Sequence, residues 1–452
     1  MKKLLMILIC SVMTVAGLVA SEEGACRVRS IEFIRKEPMR TNEGALRRFV
    51  DIQVGDEFDS AEEFLQYVDL EQKDLLNTRY FNEATITYVE GAVGEDGVTP
   101  VDVTVTVKDG WTLVPIPYPI PNSNLGKNGW GFGTEIYYDN FFGTMTNFAF
   151  LGEVGIAFGE PTNKLRHWYV KPSLKGIKLG KLTFSIDLDQ SFSTDRWLDK
   201  NIVLQEFTRD HSALSLSSSI DLPGNWSYSF TPSFGANYNY DWRVLVDDDN
   251  MAKTDSGIYK NREDFLYAGF SHGVNFGRVD WEGTFRQGYT FGLGNANRFS
   301  MSRPAQTQKV SPYFVSDLGA HAAYYLPFGK FFNYTTRFDT LVVFNDIYRG
   351  LGSKLRGVKN DSMIGSVGFF WKNTLVIQPH KTLKNFNFQL HPFVDVGLSF
   401  DYNNPGDIKN NIGLGTGLEL LFMLGSVNLR GWVAYDPINN FFDISYGIGL
   451  PY

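Results

Sequence analysis

An arginine, a glycine and a carboxylate stand out because their types and spacing suit an internal ion pair. Arg356 and Gly357 lie in a polar stretch, residues 353–362, and Asp395 follows within a later alternating run. A guanidinium can hold a carboxylate through two parallel hydrogen bonds, which fixes orientation as well as charge. Glycine lets the backbone turn tightly beside the arginine. An Arg-Gly pair by itself means little, so the elements around it must show whether the loop and the acid come together.

Two alternating segments follow this stretch and would position the three groups. In the second segment the apolar residues alternate with a set that contains Asp395, so its carboxylate is predicted to face away from the apolar side. That set comprises Asn387, Gln389, His391, Phe393, Asp395 and Gly397. The first segment places Lys372 on the corresponding side, which makes it a candidate competitor of Arg356 for Asp395.

The same alternation continues from residue 111 to the C-terminus. In the last segment one face carries only apolar and aromatic groups, namely Phe442, Ile444, Tyr446, Ile448, Leu450 and Tyr452. The other face carries glycine and polar residues. The whole chain contains 44 glycines, 37 phenylalanines and 22 tyrosines. An aromatic face opposite a small or polar face, in ten-residue runs, is typical of strands that cross a membrane as a barrel.

Short turns alternate with longer polar connections throughout this region, as they do in outer-membrane barrels. The pattern predicts sixteen antiparallel strands, with the Arg356 stretch between strands 11 and 12. Residues 277–278 are predicted as a short turn, and residues 193–210 and 247–260 as long external loops. Prolines at every second position of 115–121 remove N–H donors from one side of the first strand, which predicts a weak seam with the last strand.

Residues 27–108 have a different character and predict a small domain of order β-α-α-β-β. Ser60 and Glu63 have the spacing of a capping box at the start of the second helix. Valines at 101, 103, 105 and 107 alternate strictly in the last strand. An extended client segment can add to the open edge of such a sheet. The alternative is that the edge is only solvated and the domain acts as a spacer.

Composition and the N-terminus restrict the class of protein further. The net charge of −8 without a basic stripe excludes a nucleic-acid-binding protein. Two lysines, an apolar stretch and small residues near Ala20 predict a secretory signal peptide over residues 1–21. Cys26 is the only cysteine beyond it, so no intramolecular disulfide is expected. Neither a nucleophile turn nor a metal-ligand spacing is found, so we expect no enzyme, cofactor or metal site.

These features together resemble the BamA/TamA/two-partner-transporter superfamily of outer-membrane barrels with a POTRA domain, of the bacterial surface antigen type. The resemblance implies a POTRA-like periplasmic domain over residues 22–110 and a sixteen-stranded transmembrane β-barrel over residues 111–452, a mostly β fold. It implies that the long loop folds back into the barrel, where Arg356 pairs with Asp395. It also implies a C-terminal assembly signal, here Tyr446, Ile448, Leu450 and Tyr452. Val358 departs from the family, which usually has an aromatic residue after Arg-Gly.

The resemblance also implies a function and partners. We expect a non-catalytic protein of the bacterial outer membrane that assists the insertion or translocation of proteins or lipid. The expected partners are outer-membrane lipid and client polypeptides at the open sheet edge, and we expect a monomer. One alternative is a porin-like passive channel, which requires an open lumen. Another is a surface antigen or adhesin that acts through the loops at residues 193–210 and 247–260.

Overall fold

The computed structural model describes residues 24–110, 112–120, 129–157, 164–199, 202–244, 264–303, 309–345, 350–380, 386–402, 411–424 and 427–449. The chain forms two compact units. The first comprises Met1–Met39 with Phe49–Asp109, and the second comprises Arg40–Arg48 with Gly110–Tyr452. The predicted signal peptide lies outside the described residues.

The N-terminal elements follow the predicted order, with one short strand added between the helices. They are β1 (Cys26–Lys36), α1 (Glu43–Leu46), β2 (Glu57–Phe58), α2 (Ala61–Asn77), β3 (Phe81–Glu90) and β4 (Thr99–Asp109). The sheet order is β2-β1-β4-β3, and β1 pairs with β4 in parallel. Helix α1 is a single turn of four residues.

The core of the first unit is the apolar side of β4 beneath α2. All four alternating valines of β4 are buried, and α2 buries Phe64, Val68 and Leu75. The Ser60 hydroxyl accepts a hydrogen bond from the Glu63 N–H at 3.1 Å. The Glu63 carboxylate accepts from the N–H of Asp59 at 2.9 Å, one residue earlier than a standard capping box requires. The start of α2 is therefore fixed from both directions.

In the described residues the second unit has sixteen strands that form one antiparallel sheet, each paired with its neighbours in the chain. They are β5 (Leu113–Ile120), β6 (Gly129–Tyr138), β7 (Asn147–Ala157), β8 (Lys164–Leu179), β9 (Leu182–Asp199), β10 (Ile202–Leu222), β11 (Trp226–Val244), β12 (Asp264–Glu282), β13 (Phe285–Arg303), β14 (Ser311–Phe328), β15 (Phe332–Phe344), β16 (Val367–Ile377), β17 (Phe386–Phe400), β18 (Ile412–Leu424), β19 (Val427–Asp436) and β20 (Phe441–Gly449).

The predicted strand number is confirmed, and Arg356 lies between the eleventh and twelfth strands of this sheet, β15 and β16. The proline-rich first strand pairs with β6 along its length. Among the described residues no ladder joins β5 to β20, so the sheet is not closed there. Alternate prolines in β5 leave one of its edges without N–H donors, which is consistent with this gap.

The two faces of the large sheet differ in the way that the alternation predicts. Large apolar side chains are exposed along one face, with Trp130 at 72% and Ile444 at 71% of full exposure. The other face carries glycines and buried polar groups, among them Asp395 and Glu419. Strands that cross a membrane as a barrel need an apolar face towards lipid and a polar face towards the interior.

No helix in the described part of the chain is both long and apolar enough to cross a membrane.

Two predicted connections are wrong. β12 runs through Gly277 and Arg278, and the turn is at Gly283 and Thr284 instead. Gly277 has a φ of 111°, so it accommodates an irregularity within the strand rather than a turn. The predicted loop over residues 193–210 is almost entirely strand, because β9 and β10 extend to within a few residues of each other. Polar residues there lengthen a hairpin. The predicted loop over residues 247–260 lies outside the described residues.

Candidate functional site

The segment between β15 and β16 folds back on itself and is closed at its base. Gly350 pairs with Ile364 in an isolated bridge, and the Leu351 N–H donates to the Met363 carbonyl at 2.7 Å. Two short 3-10 turns, Gly352–Lys354 and Asn360–Ser362, shape the segment between these contacts. We call residues 350–366 the return loop. Its closed base makes it a compact unit with few conformations to lose when it docks.

One side of the return loop packs against the inner face of the sheet through apolar groups. The cluster consists of Leu351, Leu355, Val358 and Met363 from the loop and Phe370 from β16. All five side chains are buried. Val358, which departs from the aromatic residue of the family, lies in this cluster. Burial of several such side chains stabilises the docked loop by about 1.5–3 kcal/mol each relative to exposure.

The other side of the return loop presents Arg356 to the sheet. Arg356 Nε donates to Asp395 Oδ2 at 2.9 Å, and Nη2 donates to Asp395 Oδ1 at 2.8 Å. The backbone N–H of Arg356 also donates to Asp395 Oδ2, at 3.2 Å. The remaining contacts are Nη1 to Glu419 Oε2 at 3.1 Å and Nη2 to Thr374 Oγ1 at 2.9 Å. The guanidinium is thus bonded by three successive strands, β16, β17 and β18.

An aromatic ring completes the surroundings of the guanidinium. The centre of Arg356 lies 3.8 Å from the centroid of the Phe393 ring, a cation–π contact. The Asp395 side chain is fully buried. An uncompensated charge at such a position is costly, so removal of one partner from a buried pair typically costs about 3–5 kcal/mol. The arrangement therefore holds the loop in one position more strictly than apolar packing alone.

Glycines allow the loop backbone to approach the strands. Gly357 has a φ of 77°, in the region that favours glycine, and a side chain there would collide with Ala434. A side chain at Gly415 on β18 would collide with the carbonyl oxygen of Arg356. A side chain at Gly397 would approach Leu355 to 2.8 Å. The small residues of the inner face thus form the surface on which the loop lies.

The structure brings together the residues that the sequence singled out in the loop and on β17. Arg356, Phe393 and Asp395 are in direct contact. Lys372 lies opposite Asp395 in the ladder, but its Nζ contacts Asp339 Oδ2 at 3.3 Å. Asp395 is engaged by Arg356 instead.

Sequence reasoning missed the second acid, Glu419. The sequence did contain a sign of it. Glu419 follows Gly413, Gly415 and Gly417 at every second position, so it lies on the same, inward-facing side of β18. Thr374, two residues after Lys372 and therefore on the same side of its strand, was not singled out either. The positions of both residues around Arg356 depend on the stagger between β16, β17 and β18, which no single segment reveals.

The residues of the predicted assembly signal are described only in part. Tyr446 and Ile448 lie in β20, where they pair with Gly431 and Leu429 of β19. Leu450 and Tyr452 lie outside the described residues. The prediction that these four residues direct assembly stays a prediction.

Comparisons with known proteins concern the family and the fold. Residues 257–420 match the model of the family "Haemolysin secretion/activation protein ShlB/FhaC/HecB". This segment contains the whole return loop together with Asp395 and Glu419. No curated protein matches the sequence.

Among solved structures the chain is similar to CdiB from Acinetobacter baumannii, with 14% identity and a TM-score of 0.55, covering 94% of this chain and 74% of that one. It is also similar to CdiB from Escherichia coli, with 13% identity and a TM-score of 0.50, covering 96% and 92%. BamA from Haemophilus ducreyi lacking POTRA domains 1-3 gives 14% identity and a TM-score of 0.48. The fold of the second unit is therefore that of a transmembrane β-barrel, and the resemblance to BamA and two-partner-transporter barrels is confirmed, while the POTRA domain stays a prediction.

Proposed function

We propose that this chain is an outer-membrane transporter that moves polypeptide through or into the membrane, with the return loop as the element that controls the bore. The matched family is described by secretion and activation of haemolysin, which supports a polypeptide client. We propose that the protein acts as a monomer in contact with outer-membrane lipid, and that it catalyses no covalent chemistry.

The contact of Arg356 with Asp395 and Glu419 carries this proposal. A passive pore has no need of a loop fixed inside it by a bidentate ion pair, a second acid and an apolar cluster. A transporter needs an element with two positions, one of which blocks the path. The ion pair is directional and can be replaced by other charged partners, which makes it suited to hold one of two positions.

The first unit supports the choice of a polypeptide client. In the described part of the chain, β3 forms one end of the small sheet and pairs only with β4. Its outer edge therefore offers backbone N–H and C=O groups to an added strand, except at Ile86, whose N–H donates to Gln72 Oε1 at 3.0 Å. Val89 is exposed on this strand. We propose that this unit lies in the periplasm and receives an extended client segment at that edge.

The test is deletion of the gene in the native bacterium, followed by quantitative proteomics of the medium and the outer membrane. The expected result is loss of one or a few polypeptides from the medium or from the membrane. Complementation with wild type should restore them, and complementation with Arg356→Ala should restore much less. Lys354→Ala is the matched control, because Lys354 is an exposed cation on the same loop. Unchanged protein composition after deletion would overturn the proposal.

A second measurement separates a transporter from a passive channel. Purified protein in planar bilayers should show low conductance, which rises when Arg356→Ala releases the loop. The Lys354→Ala control should conduct like wild type. A large and steady wild-type conductance that Arg356→Ala leaves unchanged would favour the porin-like channel instead.

A further inference from the structure

A cavity of about 310 Å³ lies beside the Arg356 contact, on the inner face of the sheet. Arg356 and Glu419 border it at one end. Thr284, Asn333 and Asn428 border it near three of the short connections between strands. The cavity therefore lies between the return loop and the end of the barrel that carries the short turns. Its volume is within the range of about 300–1,000 Å³ that ligand sites occupy.

The cavity has an excess of positive charge. Five cationic side chains line it, namely Arg286, Arg337, Arg356, Lys372 and Arg430. Asp339 contacts two of them, Arg337 at 2.8 Å and Lys372 at 3.3 Å. Asp395 and Glu419 contact Arg356. Three carboxylates thus face five cations, and in the described residues neither Arg286 nor Arg430 has a carboxylate within ion-pair distance.

Aromatic rings orient the Arg286 guanidinium, and in the described residues no carboxylate neutralises its charge. Its guanidinium lies 5.0 Å from the ring centroid of Trp281 and 5.6 Å from that of Tyr325. Nη1 donates to the Tyr325 hydroxyl at 3.5 Å, and the stacking leaves the remaining N–H groups open to a carboxylate. Arg430, on β19, is exposed within the bore and borders the same cavity.

The cavity also contains acceptors that need donors. Asn333 and Asn428 are buried side chains of its lining, and the Oδ1 of each accepts no hydrogen bond within the described residues. Asn333 Nδ2 donates to the Arg286 carbonyl at 2.5 Å, which fixes the orientation of that amide. Buried acceptors without a partner are uncommon and point to an absent donor. Neither Oδ1 has surface open to the cavity, so the choice of an acidic polypeptide over a simple anion rests on the proposed function.

We infer that this cavity binds an acidic polypeptide segment in an extended conformation, with Arg286 and Arg430 holding its carboxylates. Glu419 lies next to Arg356 at the border of the cavity, and its negative charge repels an acidic segment. A client carboxylate that reaches Arg356 Nη1 takes the place of Glu419, while Asp395 keeps the other edge of the guanidinium. Binding of the client and loosening of the return loop are thereby linked through one side chain. The client origin of the segment rests on the proposed function, but the binding site does not.

The experiment uses the purified full-length protein in neutral detergent and a fluorescent eight-residue peptide of alternating aspartate and glycine. The matched control peptide has asparagine in place of aspartate. Fluorescence anisotropy should show binding of the acidic peptide only, and the binding should weaken with salt. Arg286→Gln and Arg430→Gln should each weaken it about tenfold, since each removes one charge-assisted contact. Glu419→Gln should tighten it severalfold.

Arg298→Gln is the control variant, because Arg298 faces the bore elsewhere and borders a different cavity. It should bind the acidic peptide like wild type, and Arg286→Gln, Arg430→Gln and Arg298→Gln should keep the wild-type melting temperature. Equal binding of the two peptides, or no effect of either arginine variant, would overturn the inference. Displacement of the peptide by inorganic phosphate at equal concentration, or by phosphatidylglycerol in mixed micelles, would also overturn it in favour of a free anion or a lipid headgroup.

Failure of this inference and failure of the proposed function give different results. If peptide binding is absent while gene deletion still removes secreted or membrane polypeptides, the cavity assignment is wrong and the transporter remains. If the peptide binds as expected while deletion changes no polypeptide, the site remains and the proposed function is wrong.

Discussion

The small N-terminal sheet and the large C-terminal sheet use the same alternation of residues with opposite outcomes. In β4 the most buried side chain is a valine, Val105, with no exposed surface. In β17 a carboxylate, that of Asp395, is among the most buried groups and is equally without exposed surface. The comparison shows that alternation defines two faces of a strand but not which face becomes the interior.

What covers each face explains the difference. In the first unit α2 covers the valine side of β4, and Phe64 packs edge-on against Tyr88 of β3 at 5.2 Å between ring centroids. In the second unit the apolar side faces outward and the return loop covers part of the polar side. A buried face that consists of polar groups must satisfy each of them, which is why Asp395 has three hydrogen bonds to Arg356.

The largest expected effect comes from giving the first unit a buried acid like that of the second. Val105→Asp should destabilise the first unit by about 4 kcal/mol, because no partner awaits the charge there. Hydrogen exchange of β4 amides and limited proteolysis of the full chain would measure this. Thr104→Asp, on the other side of the same strand, is the control and should have a small effect. Equal protection in both variants would show that the valine side is not the core.

The next largest effect comes from removing the charge pair of the second unit. Arg356→Ala and Asp395→Ala should each destabilise the barrel by about 3 kcal/mol, since each leaves the other charge or its site unsatisfied. The double variant should cost clearly less than the two single effects combined, as coupled residues do. Thermal unfolding in detergent would measure all three. Additive effects would mean that the two side chains act independently.

A smaller effect is expected where the loop backbone lies on the glycine surface. Gly415→Ala should cost about 2 kcal/mol, because the new methyl group collides with the Arg356 carbonyl oxygen and the loop must shift. Trypsin should then cleave faster at Lys354. Gly431→Ala on β19 is the control, because its nearest neighbour would be Ser445 O at 3.7 Å. If both variants resist trypsin like wild type, the loop does not depend on close approach at Gly415.

The smallest effect is expected at the start of α2, the element that makes the valine side of β4 an interior. Ser60→Ala should destabilise the first unit by about 1 kcal/mol through loss of the hydrogen bond from Glu63. Hydrogen exchange of the α2 amides would detect this. Gln66→Ala, an exposed position later in the same helix, should change stability by less than about 0.5 kcal/mol. A larger effect at Gln66 than at Ser60 would contradict the role of the cap.

Much of the fold was accessible from the sequence because alternation and turn residues are local signals. The sixteen strands, the place of Arg356 between β15 and β16 and the inward side of Asp395 all followed from them. The turn predicted at Gly277 is wrong. In the local sequence, a glycine at an irregularity within a strand looks the same as a glycine in a turn that ends a strand. The prediction of a loop over residues 193–210 is wrong because polar residues occur both in loops and in strands that form the end of a long hairpin.

Only part of the candidate site could be predicted from the sequence. Arg356 and Asp395 could be paired through the family resemblance, but Glu419, the apolar cluster around Phe370 and the partner of Lys372 could not. Each depends on the stagger between neighbouring strands, and a change of register moves every side chain along or across the sheet. The cavity with Arg286 and Arg430 gathers residues from strands that are far apart in the chain, so no motif announces it.

By itself the sequence determined which residues share a face, how many strands there are and which loop carries an arginine beside a glycine, since these follow from chain geometry over a few residues. Only the tertiary structure decided which acids contact Arg356, which cations contact Asp339 and which arginines lie beside a cavity without a carboxylate partner. The physical reason is that electrostatic partners are selected by distance in space. Across a barrel wall, that distance is set by pairing and stagger and not by position along the chain.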